Sequence, residues 1–157
     1  MIDFVYNHDE QVAGFVAQLT DNHNGGNFGR CKTIGVIDEQ GRLIAGLVYF
    51  NWDPRGETIE MGLASISPYW LTRATFRRIF EYPFIECGCQ MVYARVRIDN
   101  ERLLSGLARL NFNLTAVPRM FGRTEDGVLC TYTDDQWLDS KLSERVYRNV
   151  RRAKEAA

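Results

Sequence analysis

The sequence predicts an α/β domain of the α+β kind, built on one mixed and mostly antiparallel sheet. Apolar runs at residues 33–37 (TIGVI) and 43–50 (LIAGLVYF) flank Asp38-Glu39-Gln40-Gly41-Arg42, a hairpin signal in which Gly41 supplies positive φ. The apolar runs at 59–67 and 91–98 are separated by a stretch of helical period, so a crossover joins them and that pair alone must be parallel. Residues 113–121 and 128–133 form a last hairpin around Glu125-Asp126-Gly127. The resulting order is β-α, a three-strand antiparallel meander, then α-β-α-β-β and a terminal helix.

Taken in order, residues 2–6 read as a short first strand. Asp9 can cap a helix with Val12, Phe15, Val16 and Leu19 on one face. DNHNGGNFGR, residues 21–30, is a polar Gly/Asn loop whose His23, Asn24 and Asn27 could touch a ligand. After the first hairpin, Asp53-Pro54-Arg55-Gly56 turns the chain into the 59–67 strand. The next helix carries Phe76, Ile79, Phe80 and Phe84 on one face, and Pro83 kinks or ends it. Asn100 caps a helix with Leu103, Leu104, Leu107 and Leu110 as its apolar face. A terminal helix from about residue 134 carries Leu138, Leu142, Val146 and Val150 in one stripe. Its Arg145, Arg148, Arg151 and Arg152 read as a solvated face.

Composition bounds the function classes. At 157 residues the chain reads as one domain, 1–157. Such a domain buries roughly 70% of its unfolded surface and needs no staple. A formal net charge of −1 argues against nucleic-acid binding. Cys87-Gly88-Cys89 is too tight for a zinc ribbon, Cys31 and Cys130 stand apart, and His8 and His23 lie near no cysteine, so no metal is expected. Free thiols, no basic n-region in MIDFVYNHDE and no long apolar window point to a cytoplasmic protein with no membrane partner.

Three features could carry chemistry. Where two parallel strands diverge a ligand can enter, and the intervening helix aims its N-terminus at the gap, with Arg73 adding charge. Glu60 interrupts the apolar strand Ile59-Glu60-Met61-Gly62-Leu63; it is either an edge carboxylate in solvent or a partly buried general base. Asn100 is explained by capping alone, or by capping together with ligand contact. Arg73, Arg77 and Arg78 either meet phosphates or form a solvated helix face. Of Tyr93, Arg95 and Arg97 on the 91–98 strand, some point into the gap and some away.

The segment from Ile59 to Phe112 (IEMGLASISP, Trp70-Leu71-Thr72-Arg73, MVYARVRID, then Asn100 to Leu110-Asn111-Phe112) resembles the acyl-CoA site of the GNAT acetyltransferases. The resemblance extends from about residue 30 to about residue 135. It takes in Gly35-Val36-Ile37-Asp38, Gly46-Leu47-Val48, Ala116-Val117-Pro118-Arg119 and Asp126-Gly127. In texture it is nearest the ribosomal-protein N-terminal acetyltransferases. It is nearer still to a variety common in phage and prophage genomes, where a Trp-Leu-Thr-Arg and Tyr-Pro-Phe pairing recurs. The sequence departs from the family at three points. The pyrophosphate loop places Leu71, Ala74 and Phe76 at its marked positions with Thr72 where glycine is common, or shifts by two residues. Leu107 stands where a tyrosine often protonates the thiolate. Asn111 replaces the glycine before the final Phe, a residue that tolerates the left-handed region.

The resemblance implies a GNAT fold, with the parallel pair splayed around CoA and helices on both faces. It implies acetyl-CoA as cosubstrate, contacted by Ser65, Ile66, Leu71, Thr72, Arg73, Ala74, Thr75 and Asn100, with Glu60 as the base. The strand in this family carries a bulge, so side-chain parity at Glu60 is open. The acceptor would be an amine of a protein N-terminus, a peptide or a small molecule, and a homodimer is compatible. Deprotonating a lysine at neutral pH costs ~4.6 kcal/mol against ~1 for an α-amine, which favours the α-amine. The rival reading is a non-catalytic GNAT-fold module that binds CoA or a protein. A weaker one is an aminoglycoside-type modifier, whose acceptor site would be rich in acidic residues.

Overall fold

The structure, a computed structural model, describes residues 1–20, 28–140 and 155–156. Its strands are β1 (Asp3–Val5), β2 (Cys31–Ile37), β3 (Leu43–Asp53), β4 (Thr58–Ser65), β5 (Met91–Arg97), β6 (Asn113–Gly122) and β7 (Glu125–Thr133). Its helices are α1 (Asp9–Thr20), α2 (Arg73–Glu81), α3 (Glu101–Arg109) and α4 (Asp134–Asp139). The sheet runs β1-β2-β3-β4-β5-β7-β6. Every neighbouring pair is antiparallel except β4 and β5, as the crossover argument requires.

Helices cover both faces. Ala13 and Val16 of α1 pack on Val48, Phe50 and Ala64. On the other face Phe76, Ile79 and Phe80 of α2, with Trp137 and Leu138 of α4, pack on Tyr49, Ile59, Met61, Val92 and Tyr132. Leu107 of α3 joins Val96, Val128 and Cys130 on that second face. The Tyr49 hydroxyl donates to the Ile79 carbonyl at 2.6 Å and ties β3 to α2. Pro83 acts as expected: it cannot donate to the helical ladder, and α2 continues as a π turn, Tyr82–Glu86, closed by Cys87 N–H to Tyr82 C=O at 2.9 Å.

Gly41 (φ 76°) and Asn111 (φ 71°) both occupy the left-handed region the sequence assigns to them. Other details differ from expectation. Asp9 lies inside α1, whose first bond runs from Val12 N–H to His8 C=O. Its carboxylate instead accepts from the Thr33 N–H and hydroxyl at 2.9 and 2.8 Å, locking α1 to β2. Leu19, in the last turn of α1, is exposed, and the buried face of the helix is Val12, Ala13 and Val16. The final hairpin turns at residues 123–124, not at 125–127. Gly127 is a strand residue paired with both Val117 and Arg97, and a Cβ there would meet Met120 and Phe121 at under 3 Å. Asp126 accepts from the Arg119 N–H at 3.0 Å across a bulge in β6, where Arg119 has φ 60°. The stripe residues Leu142, Val146 and Val150, the arginines Arg145, Arg148, Arg151 and Arg152, and His23, Asn24 and Asn27 lie outside the described residues.

Candidate active site

The parallel pair holds for only three positions: Thr58↔Met91, Ile59↔Val92 and Glu60↔Tyr93. Beyond Glu60 the strands part, and each continues to pair only on its outer side. The Ile66 N–H donates to Ile44 C=O at 2.9 Å, so the even positions of β4 bond to β3. Alternation in an antiparallel pair then aims the N–H and C=O groups of Met61, Leu63 and Ser65 into the opening. The same logic, from Ile98 N–H to Asp126 C=O and Asp134 N–H to Gln90 C=O, turns the backbone of Arg95 and Arg97 toward it from β5. The result is a gap in the sheet with unpaired backbone donors on both edges.

The helix that follows β4 starts beside this gap. Thr72 is its N-cap and forms a capping box with Thr75. The Thr75 N–H goes to Thr72 Oγ1 at 3.2 Å and the Phe76 N–H to Thr72 C=O at 2.9 Å. This leaves the N–H groups of Arg73 and Ala74 at the free end, beside the exposed Leu71 and the exposed Arg73 side chain, which forms no ion pair among the described residues. Thr75 is buried, and its hydroxyl bonds to Trp70 C=O and Thr72 C=O, so its side chain serves the cap. Ser65 and Ile66 are exposed at the end of β4. Asn100 caps α3, its Oδ1 accepting from the Leu103 N–H at 3.3 Å, which leaves its Nδ2 uncommitted. Arg78 is committed elsewhere, to Glu86 at 2.8 Å and the Tyr6 hydroxyl at 2.7 Å, and Arg77 lies 3.7 Å from Glu81.

Glu60 is not an edge carboxylate in solvent: it is 3% exposed. It sits at the apex of the gap on the α1 face. Oε1 accepts from Arg95 Nε at 2.6 Å and Oε2 from Asn51 Nδ2 at 2.8 Å. The bulge lies on β3, not β4, between Phe50 and Asp53, and Asn51 at φ 52° is its hinge. Asn tolerates that conformation, and the bulge is what aims its amide at Glu60. Tyr93, Arg95 and Arg97 all share the face of Glu60, alternating with Val92, Ala94 and Val96. Burial, then the Glu60 charge, pushes the Tyr93 hydroxyl up from its ordinary pKa, so it stays a donor at neutral pH. The Glu60–Arg95–Asn51 cluster was not legible as such. Its one signal was the lone charge in an apolar strand.

Burial raises all four thiols, Cys89 and Cys130 to about 11, so none is a ready thiolate nucleophile. No group of residues able to hold a metal is found among the described residues, and no described helix is long and apolar enough to cross a membrane.

No protein-family model matches the sequence, and neither does any curated protein. Solved structures do match. A point mutant of the spermidine N-acetyltransferase SpeG of Vibrio cholerae superposes with TM-score 0.70 at 15% identity over 88% of this chain and 96% of that one. A chimera of that enzyme with hSSAT gives 0.71 at 14%, covering 88% and 99%. A probable acetyltransferase gives 0.59 at 18%, covering 69% and 64%. At such identities the likeness is one of architecture, and it agrees with the splayed strand pair: the chain is built on the GNAT fold of the N-acetyltransferases.

Proposed function

We propose that the protein transfers an acetyl group from acetyl-CoA to an amine, preferably an α-amine. The observation that carries this reading is the gap between β4 and β5, edged by the inward backbone groups of Met61, Leu63 and Ser65 and facing the free N–H groups of Arg73 and Ala74. An extended amide-containing arm pairs with such a strand edge, and a pyrophosphate suits a helix N-terminus with a neighbouring arginine. The residues present therefore fit acetyl-CoA, whose thioester supplies the acyl group. Leu71, Thr72, Arg73 and Ala74 would hold the phosphates, Thr75 would fix the cap that presents them, and Ser65 and Ile66 would flank the arm. Asn100 would add its free amide. Fold neighbours that act on spermidine support transfer to an amine as the reaction class.

In this reading the amine nitrogen attacks the thioester carbonyl, the C–S bond breaks and the thiolate is protonated from solvent. An N–H of the free β4 edge, at Met61 or Leu63, stabilises the oxyanion. Glu60 takes the amine proton. Both of its oxygens already hold a protein donor, so the proton reaches a remaining lone pair through a water. The free thiols and the CoA chemistry support a cytoplasmic enzyme.

Melting curves test the cofactor. Acetyl-CoA at ~100 Kd should stabilise the fold by ~2.7 kcal/mol. Arg73→Glu, which places an anion at the same helix start, should abolish the shift while leaving the unliganded melting point near wild type. A chain that shows no shift with saturating CoA or acetyl-CoA is not an acetyltransferase. A shift without transfer to any amine favours a CoA-binding module instead.

A further inference from the structure

Arg95 points to the chemical class of the acceptor. Its Nε is fixed by Glu60 at 2.6 Å, yet the Arg95 side chain is 43% exposed while that of Glu60 is 5% exposed. Among the described residues its outer nitrogens, Nη1 and Nη2, have no partner. The contrast on the same strand is Arg97, which spends Nε on Asp99 at 3.3 Å and Nη1 on Glu125 at 3.2 Å. An exposed arginine needs no buried carboxylate behind it. Burying Glu60 costs desolvation, and Asn51 is bent into a left-handed bulge to complete its bonds. What the arrangement secures is a fixed guanidinium fork at the gap's apex, with its free edge outward.

Among the described residues, the β4 position facing that fork carries no side chain. Continuing the Glu60↔Tyr93 register would bring Gly62 opposite Arg95, and Gly62 has no side chain to fill the space. Phe28, packed edge-on against Phe50 at 5.0 Å, borders the position, 3.3 Å from where a Gly62 Cβ would stand. The Tyr93 hydroxyl, on the same face, is turned to Glu60 and leaves the fork's outer edge to a ligand. A forked, rigid cation matches a carboxylate and repels an ammonium group. A phosphate monoester carries close to two charges and would call for a second cation, but Arg97 is already neutralised by two carboxylates.

Resting on the acetyl-transfer reading, we propose that the acceptor is an amine bearing its own carboxylate, held by the outer edge of Arg95. A free amino acid and a short peptide with an acidic first residue present this same group. Acetyl transfer and calorimetric binding, both with the full chain and CoA-saturated protein for the titrations, compare α-amino acids, their carboxamides, Asp- and Asn-initiated tripeptides, O-phosphoethanolamine and spermidine. The expected result is about tenfold or greater preference for a carboxylate over its amide. Arg95→Lys, which keeps the charge but not the fork, should lose that preference while keeping the wild-type melting shift with acetyl-CoA. The arm preferred, amino acid or Asp-initiated peptide, identifies the source. Equal or better use of carboxamides, phosphoethanolamine or spermidine overturns the proposal while acetyl transfer itself stands. So does a failure of carboxylates to bind, or an unchanged preference in Arg95→Lys. Absence of both a CoA shift and any transfer would instead remove the underlying enzyme reading.

Discussion

Glu60→Gln lowers kcat at neutral pH by about 10²–10⁴ and leaves the acetyl-CoA melting shift intact. The carboxylate sits at the last paired position of β4, where the strands part. Glutamine preserves shape: its carbonyl oxygen accepts from Arg95 and, with the Asn51 amide turned over, its NH2 donates to the Asn51 Oδ1, but it cannot take a proton. If Glu60 is the base, raising the pH deprotonates the amine directly and the variant recovers. If Glu60 acts only by orienting Arg95, the loss is independent of pH and appears in KM for carboxylate-bearing amines. Wild-type kcat in the variant from about pH 6 to about pH 9 would make the residue structural, with catalysis resting on proximity and the oxyanion contact.

Arg95→Ala destabilises the fold by about 3 kcal/mol, the low end for breaking a buried ion pair because Arg95 is itself partly in water. For a chain of this length that is a fall in Tm of roughly 6–12 °C. The cost is the charge left on Glu60 with only the neutral donors Asn51 and Tyr93 beside it. Adding Glu60→Gln to the same chain should therefore restore most of the lost stability, a coupling that a double-mutant cycle reads directly. Additive losses in the double variant would mean that Arg95 contributes by packing its stem and not by compensating Glu60.

The elements that set the architecture were legible because they obey one period each. The 59–67 and 91–98 runs are apolar strands split by a helix-period stretch, and that alone forces the parallel pair. Gly41 and Asn111 were readable because few residues take positive φ. Asp9 reads as a cap because a cap and a tertiary tie to Thr33 look alike in sequence; only the fold brings β2 beside α1. The last hairpin turns earlier than the sequence suggests, because Asp126-Gly127 is a turn signal locally, whereas Gly127 is needed inside the strand to clear Met120 and Phe121. At the site, Glu60 stood out as a charge among apolar neighbours. Its partners did not: Asn51 is nine residues upstream and reaches it only through a bulge, and Arg95 is thirty-five residues downstream and reaches it only through the crossover.

Hydrogen exchange with and without acetyl-CoA tests the central claim most directly. Bound in the gap, the cosubstrate should slow exchange at the amides of Met61, Leu63 and Ser65 on the free β4 edge and at Arg73 and Ala74, the two donors the cap leaves open. The amides of Gly62 and Ala64, already bonded to β3, should change little. Protection in that alternating pattern is the predicted result. Unchanged exchange along 61–65 and 73–74 at saturating acetyl-CoA, or protection confined to another surface, would contradict it.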